Sequence, residues 1–124
     1  MVPDEAVRFG REVAARLQSL LGSDFIGAYF VGSIALGGYV TGDSDIDIVA
    51  VSKDRVLDQL NPSFADALWD TARDCPTRGL EFTLYRHEIV ASPPERADFE
   101  VNVNGGPRMP STVHLQSSEE PSVW

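Results

Sequence analysis

The sequence predicts an α/β domain. Three observations carry that expectation: an amphipathic stripe over the first twenty or so residues, an apolar run at 25–31 bounded by turn residues, and further short strand-like runs set apart by glycine-rich turns and a second helical stretch. From Pro3 to Leu21 the apolar residues Ala6, Val7, Gly10, Val13, Ala14, Leu17, Leu20 and Leu21 recur at three- and four-residue steps, the stripe of a helix that packs along one side. Asp4 and Glu5 suit its N-terminal dipole, Glu12 and Arg16 stand i, i+4, and Gly22 follows its end. The run Phe25-Ile-Gly-Ala-Tyr-Phe-Val31 is apolar throughout and lies between Asp24 and Gly32. It predicts a strand covered on both faces, as in a sheet that carries helices.

Gly32-Ser33-Ile-Ala-Leu-Gly-Gly38 reads as a tight turn into a short helix, and Thr41-Gly-Asp-Ser44 as a second turn. Asp45-Ile-Asp-Ile-Val-Ala-Val51 is the next strand. Asn61-Pro62 has the form of an N-cap with proline at the first helical position, opening a helix with Phe64, Ala67, Leu68 and Ala72 on one side and ending before Pro76. Residues 79–86 form another strand. Phe99-Glu-Val-Asn-Val103 alternates as an additional edge strand closed by Gly105-Gly-Pro107, and the stretch from Met109 to Trp124 has turn residues without a helical period.

Composition narrows the function. A chain of 124 residues with 43% apolar and 23% charged residues builds one globular domain. Nineteen Asp and Glu against ten Lys and Arg give a net charge of −9, which disfavours long nucleic acid held through its phosphates and suits a small ligand, cationic or metal-bound. The single Cys75 excludes an internal disulfide, and His87 and His114 are too few for a histidine metal cluster. Cys75 and His87 are read as structural or surface residues. With no apolar run long enough to span a membrane and acids near the N-terminus, a cytoplasmic protein is expected.

The chemistry lies in carboxylates. Asp45 and Asp47 are two apart on a strand, so both point to one face with Cα atoms about 6.6 Å apart, while Ile46, Ile48 and Ala50 face the core. Two carboxylates held together repel, and a hard cation such as Mg²⁺ relieves them. Glu81 alternates in the same way with Leu80 and Phe82 and is costly in a sheet unless used. If its strand neighbours the first, Asp45, Asp47 and Glu81 form a cluster able to hold one or two Mg²⁺, neutralise triphosphate oxygens and align a hydroxyl for attack on phosphorus. Gly32 lets backbone approach a phosphate and Ser33 adds a neutral donor. Asn102 and Asn104 share a face of the last strand, where an edge-strand surface is the simpler account than a ligand site.

Gly32-Ser33, a spacer of about ten residues and the Asp45-x-Asp47 run resemble the signature of the DNA polymerase β-like nucleotidyltransferase superfamily. The spacer Ala35-Leu-Gly-Gly38, the strand Gly79-Leu-Glu-Phe-Thr-Leu-Tyr85 and the segment Phe99-Glu-Val-Asn-Val-Asn-Gly-Gly-Pro-Arg-Met109 are similar to the N-terminal half of aminoglycoside 3″-type adenylyltransferases. The resemblance implies a nucleotidyltransferase fold, a small mixed sheet flanked by helices, over residues 1–108. It also implies ATP as co-substrate, Mg²⁺ on Asp45, Asp47 and Glu81, nucleotide phosphates at Gly32 and Ser33, and Glu81 as general base toward a hydroxyl of a streptomycin- or spectinomycin-class drug, hence antibiotic resistance. The family continues into a helical C-terminal domain, in place of which 109–124 are expected as an irregular tail. Two alternatives stand beside this reading: a minimal nucleotidyltransferase antitoxin that modifies a partner protein, and a truncated nucleotide-binding remnant that turns nothing over.

Overall fold

A computed structural model of the chain describes residues 2–53, 62–87 and 99–115. The N-terminal stripe folds as α1, Asp4–Leu21, and buries Ala6, Phe9, Val13 and Leu17, one residue from each successive turn. Phe9 joins the buried line and Leu20 is 36% exposed, so the buried face is rotated slightly from the one the sequence suggests. After a single 3₁₀ turn the chain enters β1, Phe25–Val31, and passes directly into the short helix α2, Gly32–Leu36. Strand β2, Asp45–Ser52, helix α3, Pro62–Ala72, and strands β3, Gly79–Arg86, β4, Val101–Gly106, and β5, Met109–Leu115, follow. The expected cap at Asn61 lies outside the described residues.

Among the described residues the strands form one mixed sheet in the order β1-β2-β3-β4-β5, with β2 and β3 parallel and the other neighbours antiparallel. Alternation then sorts the residues by face. Ile46, Ile48, Ala50, Leu80, Phe82, Leu84, Val101, Val103 and Val113 make one core with the buried sides of α1 and α3, each large side chain contributing about 1.5–3 kcal/mol by leaving water. Gly10 admits the ring of Phe30, whose Cζ would stand 2.6 Å from a Cβ there. Phe64 of α3 meets Phe82 of β3 with ring centroids 6.4 Å apart. Trp69 donates its indole N–H to the Asn104 carbonyl at 2.9 Å, over the irregularity between Asn104 and Gly106.

Three expectations change. β1 is an edge strand, not one covered on both faces: Tyr29 is 56% and Val31 36% exposed. The segment around Phe99–Val103 is not at an edge, because β4 lies between β3 and β5. The stretch from Met109 is not irregular throughout, since Met109–Leu115 pairs with β4 across the hairpin that contains Pro107.

Candidate active site

The face of the sheet opposite the helices carries the candidate site. One row of paired residues crosses every strand: Val31, Asp47, Glu81, Asn104 and Thr112. The next runs Tyr29, Val49, Thr83, Asn102 and His114. Asp47 is therefore the direct neighbour of Glu81, and Asp45 stands beside Gly79 at the start of the parallel pair. Asp45, Asp47 and Glu81 each offer a carboxylate oxygen, all within 4.8 Å of one another.

The surroundings press those charges together. Asp45 and Asp47 are half-buried while Glu81 is exposed. Asp45 Oδ1 and Asp47 Oδ1 are shut off from solvent and accept no hydrogen bond. The Asp47 carboxyl is pushed up to about 7, first by burial, then by its hydrogen bond and charge contact with Glu81 and by the charge of Asp45. Orphaned, crowded oxygens of this kind fit a hard divalent cation, which all three residues would hold.

Gly32 closes the floor. It lies at the turn from β1 into α2 with φ +68°, and a Cβ there would collide with the Asp47 carboxylate. Both the backbone conformation and the close approach thus call for glycine. Ser33 is half-buried one residue further on, with its Cβ beside Gly38 and its carbonyl accepting the Gly38 N–H at 2.8 Å. Gly32 is thereby brought against the Asp47 carboxylate, and Ser33 lines the loop next to it.

Further residues at the site were not expected from sequence. Arg78 Nε lies 3.6 Å from Asp45 Oδ1. Thr77, buried, donates its hydroxyl to the Ser44 carbonyl at 2.7 Å and accepts the Gly42 N–H at 3.1 Å, fastening the turn that leads into Asp45. Their position became meaningful only with the parallel pairing of β2 and β3. Asn102 and Asn104 sit on an interior strand, in contrast to the edge surface expected. Asn102 donates to the Phe82 carbonyl at 3.1 Å and to Thr83 Oγ1 at 3.0 Å, and Asn104 donates to Asn102 Oδ1 at 2.7 Å and to Thr112 Oγ1 at 3.1 Å. A polar, hydrogen-bonded carpet therefore extends from Glu81 toward β5. Cys75 is buried, which pushes its thiol up, and His87 is exposed. An apolar cleft of about 210 Å³ among Val7, Gly10, Ala14, Ala28, Phe30 and Ile48 lies on the helix side and contains none of these groups.

No family model and no curated protein matches the chain. Among solved structures it is similar to a spectinomycin adenyltransferase, AAD(9) from Enterococcus faecialis, crystallised with ATP and spectinomycin, at a TM-score of 0.56 and 17% identity. The match covers 79% of this chain and 40% of that one, so the likeness extends over less than half of that enzyme's length. The likeness is one of fold: the mixed five-stranded sheet with its helices is similar to the fold of part of that enzyme. No described helix is long and apolar enough to cross a membrane.

Proposed function

We propose that this chain carries out Mg²⁺-dependent nucleotidyl transfer, moving AMP from ATP to a hydroxyl of a streptomycin- or spectinomycin-class aminoglycoside. The observation that carries the reading is the cluster of Asp45, Asp47 and Glu81 within 4.8 Å, backed by Gly32 on the open face of a sheet with a nucleotidyltransferase-like fold. The structural neighbour's ATP and spectinomycin supply the nucleotide and the drug class. The acid excess suits a polycationic acceptor.

The three carboxylates divide the work by exposure. Asp45 and Asp47, half-buried and short of hydrogen bonds, hold the metal, which when bound neutralises phosphate oxygens and orients the nucleotide. Glu81, exposed beside them, contributes to the metal site and takes the proton from the acceptor hydroxyl. The freed oxygen attacks the α-phosphorus, the bond from that phosphorus to the bridging oxygen breaks, and pyrophosphate leaves with the electron pair. Gly32 leaves room for the phosphates against the backbone, and Ser33 donates to them.

The test is transfer of label from α-labelled ATP to spectinomycin and streptomycin by the purified protein with Mg²⁺. We expect labelled drug, and a loss on the order of 10²–10⁴-fold with Glu81→Ala, the range of a positioned acid or base. Binding of Mg·ATP without transfer to either drug would overturn the drug assignment, and transfer indifferent to Glu81→Ala would remove Glu81 as the base.

A further inference from the structure

Arg78 is the cation within ion-pair reach of the carboxylate cluster among the described residues, at 3.6 Å from Asp45 Oδ1. Its backbone is fixed and its head is not. The Arg78 carbonyl accepts the N–H of Arg108 at 3.0 Å in the β4–β5 hairpin, and the following Gly79 is packed so closely that a Cβ would stand 2.8 Å from Met109 Cβ and 2.9 Å from the Gly105 carbonyl. The guanidinium side chain, by contrast, is 53% exposed, and Asp45 Oδ1 accepts no hydrogen bond from it or from any other group. The guanidinium thus stands half in water and is joined to the solvent-shielded Asp45 Oδ1 by charge alone, without a hydrogen bond, so another cation that satisfies this oxygen can take its place.

Arg78 and a divalent cation thus compete for one oxygen. A cation ligated by Asp45 repels the guanidinium, and a flexible, exposed side chain on a fixed backbone can turn to a new anion within its own reach. In the site as proposed, that anion is the nucleotide's phosphate chain, with the Gly32–Ser33 turn on the Asp47 side of the cluster and Arg78 on the Asp45 side. Guanidinium pairs well with phosphate through two parallel N–H donors.

Resting on the nucleotidyltransferase reading, we infer that Arg78 is an exchange cation: it pairs with Asp45 until a divalent metal takes that carboxylate, then binds the phosphates of the incoming nucleotide. Metal and nucleotide respond to it with opposite sign. Removing the guanidinium frees Asp45 for the metal alone but deprives the metal-nucleotide complex of a donor pair.

The test is binding, without turnover. Mn²⁺ alone is titrated against wild type, Arg78→Gln and Arg78→Lys by loss of the free-ion paramagnetic signal, and a non-hydrolysable ATP analogue with saturating Mg²⁺ is titrated by calorimetry. We expect Arg78→Gln to bind Mn²⁺ about 3- to 10-fold more tightly and the Mg-nucleotide about 10-fold more weakly, with Arg78→Lys between wild type and Arg78→Gln in both. Weakening of both ligands together, or no change in either, overturns the exchange role. A wild type that binds neither Mn²⁺ nor the nucleotide overturns the proposed function itself, an outcome the variants cannot imitate.

Discussion

Asp47 is the residue on which the site's electrostatics concentrate. It pairs with Glu81 across β2 and β3, packs against Gly32 and lies beside Asp45, and its carboxyl is raised from 3.8 to about 7, burial being the largest cause. Between those values the folded protein keeps a proton that the unfolded chain has released, so this group lowers stability as pH rises through the window from about 4 to about 7. For protein stripped of divalent cations we predict a melting temperature that falls between pH 5 and pH 8. Asp47→Asn should flatten that fall, and Mg²⁺ should restore the wild-type value at pH 8 by replacing the lost proton. Melting curves at four pH values, with and without Mg²⁺, check this, and a wild-type dependence retained in Asp47→Asn would assign the effect elsewhere.

At the scale of elements, the site depends on how two strand ends are fastened. Thr77, just before β3, bonds both Gly42 and Ser44 in the turn before β2, so one hydroxyl fixes the start of the strand that carries Asp45 and Asp47. Thr77→Val keeps the shape and removes both bonds. The expected cost is about 1–3 kcal/mol, because buried backbone groups lose their partner, together with weaker Mn²⁺ binding; denaturant melts and metal titration measure the two, and a variant with unchanged metal affinity would show that the turn does not position Asp45. Sequence carried the local half of this picture. Asp45, Asp47 and the inward Ile46, Ile48 and Ala50 follow from alternation alone, and Glu81 from its flanking Leu80 and Phe82. The parallel crossover that sets Glu81 beside Asp47 is non-local, so Arg78 and Thr77 had no signal. The apolar run of β1 suggested burial on both faces, yet hydrophobicity does not tell an edge from an interior, and Tyr29 and Val31 are exposed. β5 was hidden by Pro110 and by polar Ser111, Thr112 and His114; an edge strand admits proline because half of its backbone groups need no partner in the sheet. The glycines that looked like a terminator after β4 serve packing: a Cβ on Gly105 would stand 2.9 Å from Trp69 Cδ1.

For the molecule as a whole, the sheet divides labour between its faces. The helices bury one, and the other presents the row from Val31 through Asp47, Glu81 and Asn104 to Thr112. Among the described residues, Asp45, Asp47 and Glu81 converge on that face, where a cation would offset their charge and where a cationic acceptor would be drawn. On the proposed function, these three carboxylates form one divalent-cation site. The most direct measurement is diffraction from crystals grown with Mn²⁺ and a non-hydrolysable ATP analogue, with anomalous differences locating the metal. A peak is expected between Asp45, Asp47 and Glu81, with the nucleotide phosphates on it. Manganese bound elsewhere, with the three carboxylates contacting no metal, would contradict it.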